Sequence, residues 1–126
     1  MPETLDQRSA FLHLQTVRGH LVARILCPNV GQREVPIIAQ EAGEAILLMS
    51  AQGGGKRFVL DVSMVGTLSS MGLGMCVDLR NRASHAGLKP ALFGANTSLQ
   101  QLLRLMKIDR QFQMVADAAA LDRLLG

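Results

Sequence analysis

The chain has 126 residues, enough for one domain with a hydrophobic core of its own. Apolar residues make up 48 % of it, yet Trp and Tyr are absent, so the core has to be built from Leu, Val, Ile, Ala and Met with four Phe. A formal charge of +3, carried by scattered rather than banded basic residues and without a set of stacking aromatics, argues against a nucleic-acid surface.

In chain order, residues 1–10 read as a polar lead-in and 11–126 as a single domain. Leu12, Leu14 and Thr16 alternate with polar residues, Arg18-Gly19-His20 punctuates, and Leu21 to Leu26 follows as a second extended run; the pair predicts a hairpin. Cys27 to Glu34, with Pro28-Asn29 and Gly31, reads as a loop. Pro36 suits the first turn of a helix whose buried face carries Ile38, Ala42, Ala45, Ile46 and Met49, and Gln52-Gly53-Gly54-Gly55 stops it. Phe58-Val59-Leu60 is a continuous apolar run, as expected of a central strand covered on both faces. A helix is expected from about Ser70 to His85, with Gly72, Cys76, Leu79 and Ala83 as its stripe and Leu73 and Val77 beside it. Pro90 to Phe93 gives another strand. Asn96, Thr97 or Ser98 caps a third helix with Leu99, Leu102, Leu103 and Met106 inward. Met114-Val115 is a weak last strand and Ala118 to Leu125 a last helix. The expected fold is α/β: a small mixed sheet, an antiparallel hairpin followed by parallel strands, with about four helices packed against it.

The segment Phe58 to Gly74 carries most of the chemistry. Asp61 ends a strand, a loop follows, and Ser69 and Ser70 stand at a helix start, where free N–H groups and the positive dipole end tolerate a phosphate. From spacing alone the plainer reading is preferred, with Ser69 an ordinary cap, Ser70 a first-turn residue and Ser63 a loop-ordering group, while Asp61 either orders the loop or lies close enough to tune the serine hydroxyl or hold a metal during phosphorylation. Other motifs point to no reaction. Gly53-Gly54-Gly55-Lys56 follows a helix and precedes a strand, the wrong order for a phosphate-binding loop. Gly66 to Gly72 lacks the spacing of a hydrolase nucleophile elbow. His13, His20 and His85 share no ligand spacing, and Cys27 and Cys76 match no metal motif and read as reduced thiols. No catalytic residue, metal or cofactor is therefore expected. The polar N-terminus does not resemble a signal peptide and no apolar run approaches transmembrane length, so a cytoplasmic protein that is not inserted in the membrane is expected.

The pattern resembles the STAS domain, the fold shared by sulfate-transporter tails and anti-sigma factor antagonists. Asp61-Val62-Ser63 matches the first half of the family's central signature, D-x-S, and Ser69-Ser70-Met71-Gly72-Leu73-Gly74 aligns with the second, D-S-[ST]-G-L-G. Asn96 to Phe112 looks like the third-helix segment, with Ile108, Asp109 and Phe112 supplying its closing pattern. Ser69 stands where an acid is common, Met71 where a small hydroxyl residue is, and the usual G-x-L-D of the second strand is replaced by Arg24 to Asn29. The resemblance implies a non-enzymatic domain whose partner face comprises Asp61, Ser63, Ser69, Ser70, Met71, Gly72, Leu73 and Gly74. It implies an anti-sigma factor serine kinase as the partner, with Ser70 as phosphoacceptor and ATP belonging to the kinase. The alternative it implies is a constitutive scaffold docked on the ATPase of a lipid-type ABC transport complex.

Overall fold

A computed structural model describes residues 4–50 and 56–126. The glycine stop at Gly53-Gly54-Gly55 lies outside the described residues. Six strands form one sheet: β1 (Asp6–Arg8), β2 (Leu12–Val17), β3 (His20–Ile25), β5 (Arg57–Asp61), β7 (Lys89–Phe93) and β8 (Gln113–Val115), in that spatial order. The pairs β1–β2 and β2–β3 are antiparallel, and β3–β5, β5–β7 and β7–β8 are parallel. Among the described residues four helices accompany it: α1 (Val35–Ser50), α2 (Ser70–His85), α3 (Thr97–Leu105) and α4 (Ala118–Leu125). The expected mixed sheet with four helices is what forms.

The β2–β3 hairpin closes through Arg18 and Gly19, both at positive φ (52° and 83°), the mirror-image turn that matches strand twist. Strand alternation then divides the core. Leu21, Ala23, Ile25, Phe58, Leu60 and Leu92 face α1, α2 and α3; Val22, Val59, Ala91 and Val115 face α4, which supplies Leu121, Leu124 and Leu125. This is why Phe58-Val59-Leu60 has no polar residue: it is wholly buried on both faces. The expected inward residues of α1 are all buried, and on α2 the stripe Gly72, Cys76, Leu79 and Ala83 is buried together with Leu73 and Met75.

Four local readings differ from the sequence expectation. The polar lead-in contributes β1, and Leu5 just before it is buried; three exposed polar residues on a sheet edge leave no alternation to read. The loop Cys27 to Glu34 contains β4 (Asn29–Val30), which pairs in parallel with β6 (Thr67–Leu68) as a separate two-stranded sheet. Two residues are too few to show a period. Met106 is 56 % exposed rather than buried, because α3 ends at Leu105 and Lys107 turns away at φ 61°. Leu102 is only partly buried, leaving Leu99 and Leu103 as the inner stripe.

Candidate functional site

The connection from β5 to α2 leaves the carboxyl end of a central parallel strand, where open α/β sheets gather their binding groups. Asp61, 1 % exposed, has the same parity in β5 as Val59, so its side chain lies toward the α4 face of the sheet. There its carboxylate accepts from Arg24 Nε at 3.0 Å, from the Ser63 amide at 2.9 Å and from Ser63 Oγ at 2.6 Å. Three donors make this buried charge affordable. Of the two readings open on sequence, the hydrogen bonds are those of loop ordering, and they join Asp61 to Ser63 and Arg24.

Beyond Asp61 the loop is held on every side. The Val62 amide donates to Phe93 O at 2.9 Å, and the Val65 amide to Val62 O at 3.0 Å, closing a turn with Ser63 and Met64 at its tip. Gly94, at φ 82°, passes so close that a Cβ there would lie 2.7 Å from Ser63 Cβ; glycine is required for both reasons. Asn96 caps α3 by accepting from the Leu99 amide at 2.8 Å, and its Nδ2 donates to Val65 O at 3.2 Å and Gly66 O at 3.3 Å. On the other flank, the Gly66 and Thr67 amides donate to Pro28 O, the Ser69 amide donates to Val30 O, and Thr67 Oγ1 bonds Asn29 Oδ1 at 2.7 Å.

This frame sets the start of α2. Ser69, extended at φ −73° and ψ 171°, is the N-cap and its hydroxyl oxygen accepts from the Gly72 amide at 3.0 Å. Ser70 is the first helical residue and is exposed; among the described residues no hydrogen-bond partner is seen for its hydroxyl. The first turn of α2 contains no acid. Met64 and Met71 are 50 % and 45 % exposed, so two large apolar side chains belong to the same loop and helix start. Gly72 is buried against β4 and β6: a Cβ would lie 3.0 Å from Val30 O and 3.1 Å from Leu68 Cδ2. Gly74 has open space around it, so packing does not require glycine there.

Of the residues grouped on sequence, Ser63, Ser69, Ser70, Met71 and Gly74 are exposed. Asp61, Gly72 and Leu73 are buried and shape the surface from beneath. Sequence reading did not single out Met64 or Gly94, named Asn29 only as a loop marker, and named Asn96 only as a helix cap and the start of the third-helix segment. Asn96 and Gly94 had a signal, a glycine and a capping amide right after a strand; the pairing of Asn29 with Thr67 had none. Among the described residues no group of three or more His, Cys, Asp and Glu could hold a metal, and no helix is long and apolar enough to cross a membrane.

Elsewhere, burial pushes the Cys76 thiol up to about 12 and also raises that of Cys27. His20 is lowered, first by burial, against a raising bond to Leu125 O, and further by the charges of Lys56, Arg57 and Arg18. Its Nδ1 accepts from the Arg57 amide at 2.9 Å, which leaves Nε2 to donate to Leu125 O at 3.0 Å, so the ring is neutral.

A family model described as the STAS domain matches residues 36–120. A search of curated protein sequences finds no match. Among solved structures, an anti-sigma-factor antagonist (STAS) domain protein from Planctomyces limnophilus superposes with a TM-score of 0.75 at 17 % identity, over 91 % of this chain and 98 % of that one. A candidate anti-sigma factor antagonist from Thermotoga maritima gives 0.72 at 18 % identity, over 89 % and 92 %. The Bacillus cell fate determinant SpoIIAA in its phosphorylated form gives 0.63 at 15 % identity, over 90 % and 98 %. The sequence match across most of the chain, on a fold these structures share, places the protein in the STAS domain family.

Proposed function

We propose that this protein is a regulatory binding module of the anti-sigma factor antagonist type, working in the cytoplasm without catalysis of its own. Its partner is an anti-sigma factor serine kinase that grips the Ser70 loop and the first turns of α2. The observation that carries this reading is the division of labour between adjacent serines. Ser69 is taken up as the cap, whereas Ser70 stands exposed on a hydrogen-bonded helix start, next in sequence to exposed Met71 and in the same connection as exposed Met64. Exposed methionines adapt to a partner's apolar surface, and a hydroxyl among them sits where a modification has the most effect. Transfer of the kinase's ATP phosphate to Ser70 Oγ would add about −1.5 to −2 charges. Amides of the first helical turn accommodate that charge, while a partner surface matched to methionine does not, so the complex is released. SpoIIAA, whose phosphorylated and unphosphorylated forms have both been solved, is the related precedent.

The test uses the purified protein, the captured partner and ATP. Wild type and Ser70→Ala are expected to bind an anti-sigma factor kinase, Ser70→Asp to lose it, and peptide mapping to find phosphate on Ser70 alone. A stable complex in which Ser70 stays unmodified would end the switch. Capture of an ABC transporter ATPase, indifferent to all three variants, would establish the scaffold alternative instead.

A further inference from the structure

The outer edge of β1 carries a pattern that goes beyond the Ser70 surface. Between β1 and β2 the partners are Asp6 with Gln15, Gln7 with Leu14 and Arg8 with His13. The Ser9 amide donates to Leu12 O and the Thr16 amide to Leu5 O, so the pairs Leu5–Thr16 and Ser9–Leu12 are the hydrogen-bonded ones. Alternation along an antiparallel ladder makes Gln7–Leu14 hydrogen-bonded as well. The amides and carbonyls of Asp6 and Arg8 therefore point outward, away from the sheet. They are the unpaired backbone groups of a strand that ends the sheet among the described residues.

We infer that a second copy of this chain pairs on this edge, β1 against β1 across a two-fold axis at Gln7. In that register Asp6 of one copy lies opposite Arg8 of the other, twice. Each pair exchanges two backbone hydrogen bonds and sets the Asp6 carboxylate, which within its own chain already bonds His13 Nε2 at 2.7 Å, beside the other copy's Arg8 guanidinium on one face of the joined sheet. The choice of register follows from the residues. A shift by one sets outward groups against inward ones. A shift by two sets Asp6 against Asp6 or Arg8 against Arg8, and like charges directly opposite are unfavourable. An isologous contact has to be self-complementary, and a strand reading acid, neutral, base is so in the antiparallel sense. On the other face Gln7 meets its own copy beside a groove of about 310 Å³ between β1–β2 and α1, whose lining includes the exposed Leu48. β2 and β3 stand between β1 and β5, so the joined edge leaves the Ser70 loop free and both copies can engage partners.

Sedimentation velocity over a concentration series tests this with two single variants and their mixture. Wild type is expected to dimerise reversibly. Asp6→Arg and Arg8→Asp, each placing like charges opposite one another, are expected to weaken self-association about tenfold or more. An equimolar mixture of the two variants restores every opposite-charge pair and is expected to dimerise as a heterodimer. Because the mixture regains what each variant loses, a fold defect cannot imitate the result. A wild type that is monomeric throughout, a dimer indifferent to both substitutions, or a mixture that stays monomeric would each overturn the inference.

Discussion

The starts of α2 and α3 are near-copies that do different work. Both follow a parallel strand, and both are capped by an extended residue, Ser69 at φ −73° and ψ 171° and Asn96 at φ −68° and ψ 171°. Both caps bond the amide three residues on. Both are followed by exposed hydroxyl residues, Ser70 in one case and Thr97 and Ser98 in the other. The difference lies in what surrounds them. Asn96 has a second task, gripping Val65 O and Gly66 O, so the start of α3 is a strut for the neighbouring loop. The start of α2 is what that strut supports, and it alone combines a free hydroxyl with exposed Met64 and Met71. A capped helix with a serine is thus no site by itself; the proposed partner contact rests on the frame around the connection and on its exposed Met64 and Met71.

Substitutions can break this contrast in graded steps. Gly94→Ala is expected to be the most costly, about 2 kcal/mol or more by urea denaturation, since it forces a side chain to positive φ and against Ser63. Gly74→Ala, in the first turns of α2 but in open space, should be neutral or stabilise by up to about 1 kcal/mol; equal losses at both positions would mean that the loop is not framed by Gly94. Asn96→Ala should cost about 2 kcal/mol, more than Ser69→Ala at about 1 kcal/mol, because the strut loses the loop carbonyls as well as a cap. Ser70→Ala should shift stability by less than about 0.5 kcal/mol while removing the phosphate that the proposed kinase delivers. Phosphate mapped to Thr97 or Ser98 instead would erase the functional difference between the two helix starts.

The smallest effect lies on the α4 side. Because the folded His20 is lowered below its ordinary value of 6.5, the unfolded chain takes up the proton first as the solution is acidified. Its contribution to stability is complete above about pH 6.5 and falls as pH drops toward the lowered value. Replacing His20 with Gln should flatten that part of the stability profile, followed by chemical denaturation at several pH values.

The frame was legible in the sequence wherever a period could accumulate. Six residues of β2 show alternation, sixteen of α1 show a stripe, and Phe58-Val59-Leu60 announces a strand covered on both faces. What escaped was short or relational. β1, β4 and β6 have three, two and two residues, too few for any period. The second role of Asn96 depends on a loop thirty residues away, which no local pattern encodes. At the site, the family signature directed attention to Ser70 over Ser69, and in the structure Ser69 is the cap that accepts from the Gly72 amide. Met64 stayed invisible because a methionine in a loop reads the same whether it is tucked in or presented.

Cys76 lies wholly buried on the inner stripe of α2, its thiol held protonated by burial. Only a thiolate reacts readily with alkylating reagents, so this side chain is doubly silent while α2 stays seated on the sheet. Cys27, part-exposed, answers the same reagent from the native surface. In a chain without Trp or Tyr, the pair forms an intrinsic clock: the labelling rate at Cys76 divided by that at Cys27 measures how often the helix that presents Ser70 lifts away from its bed.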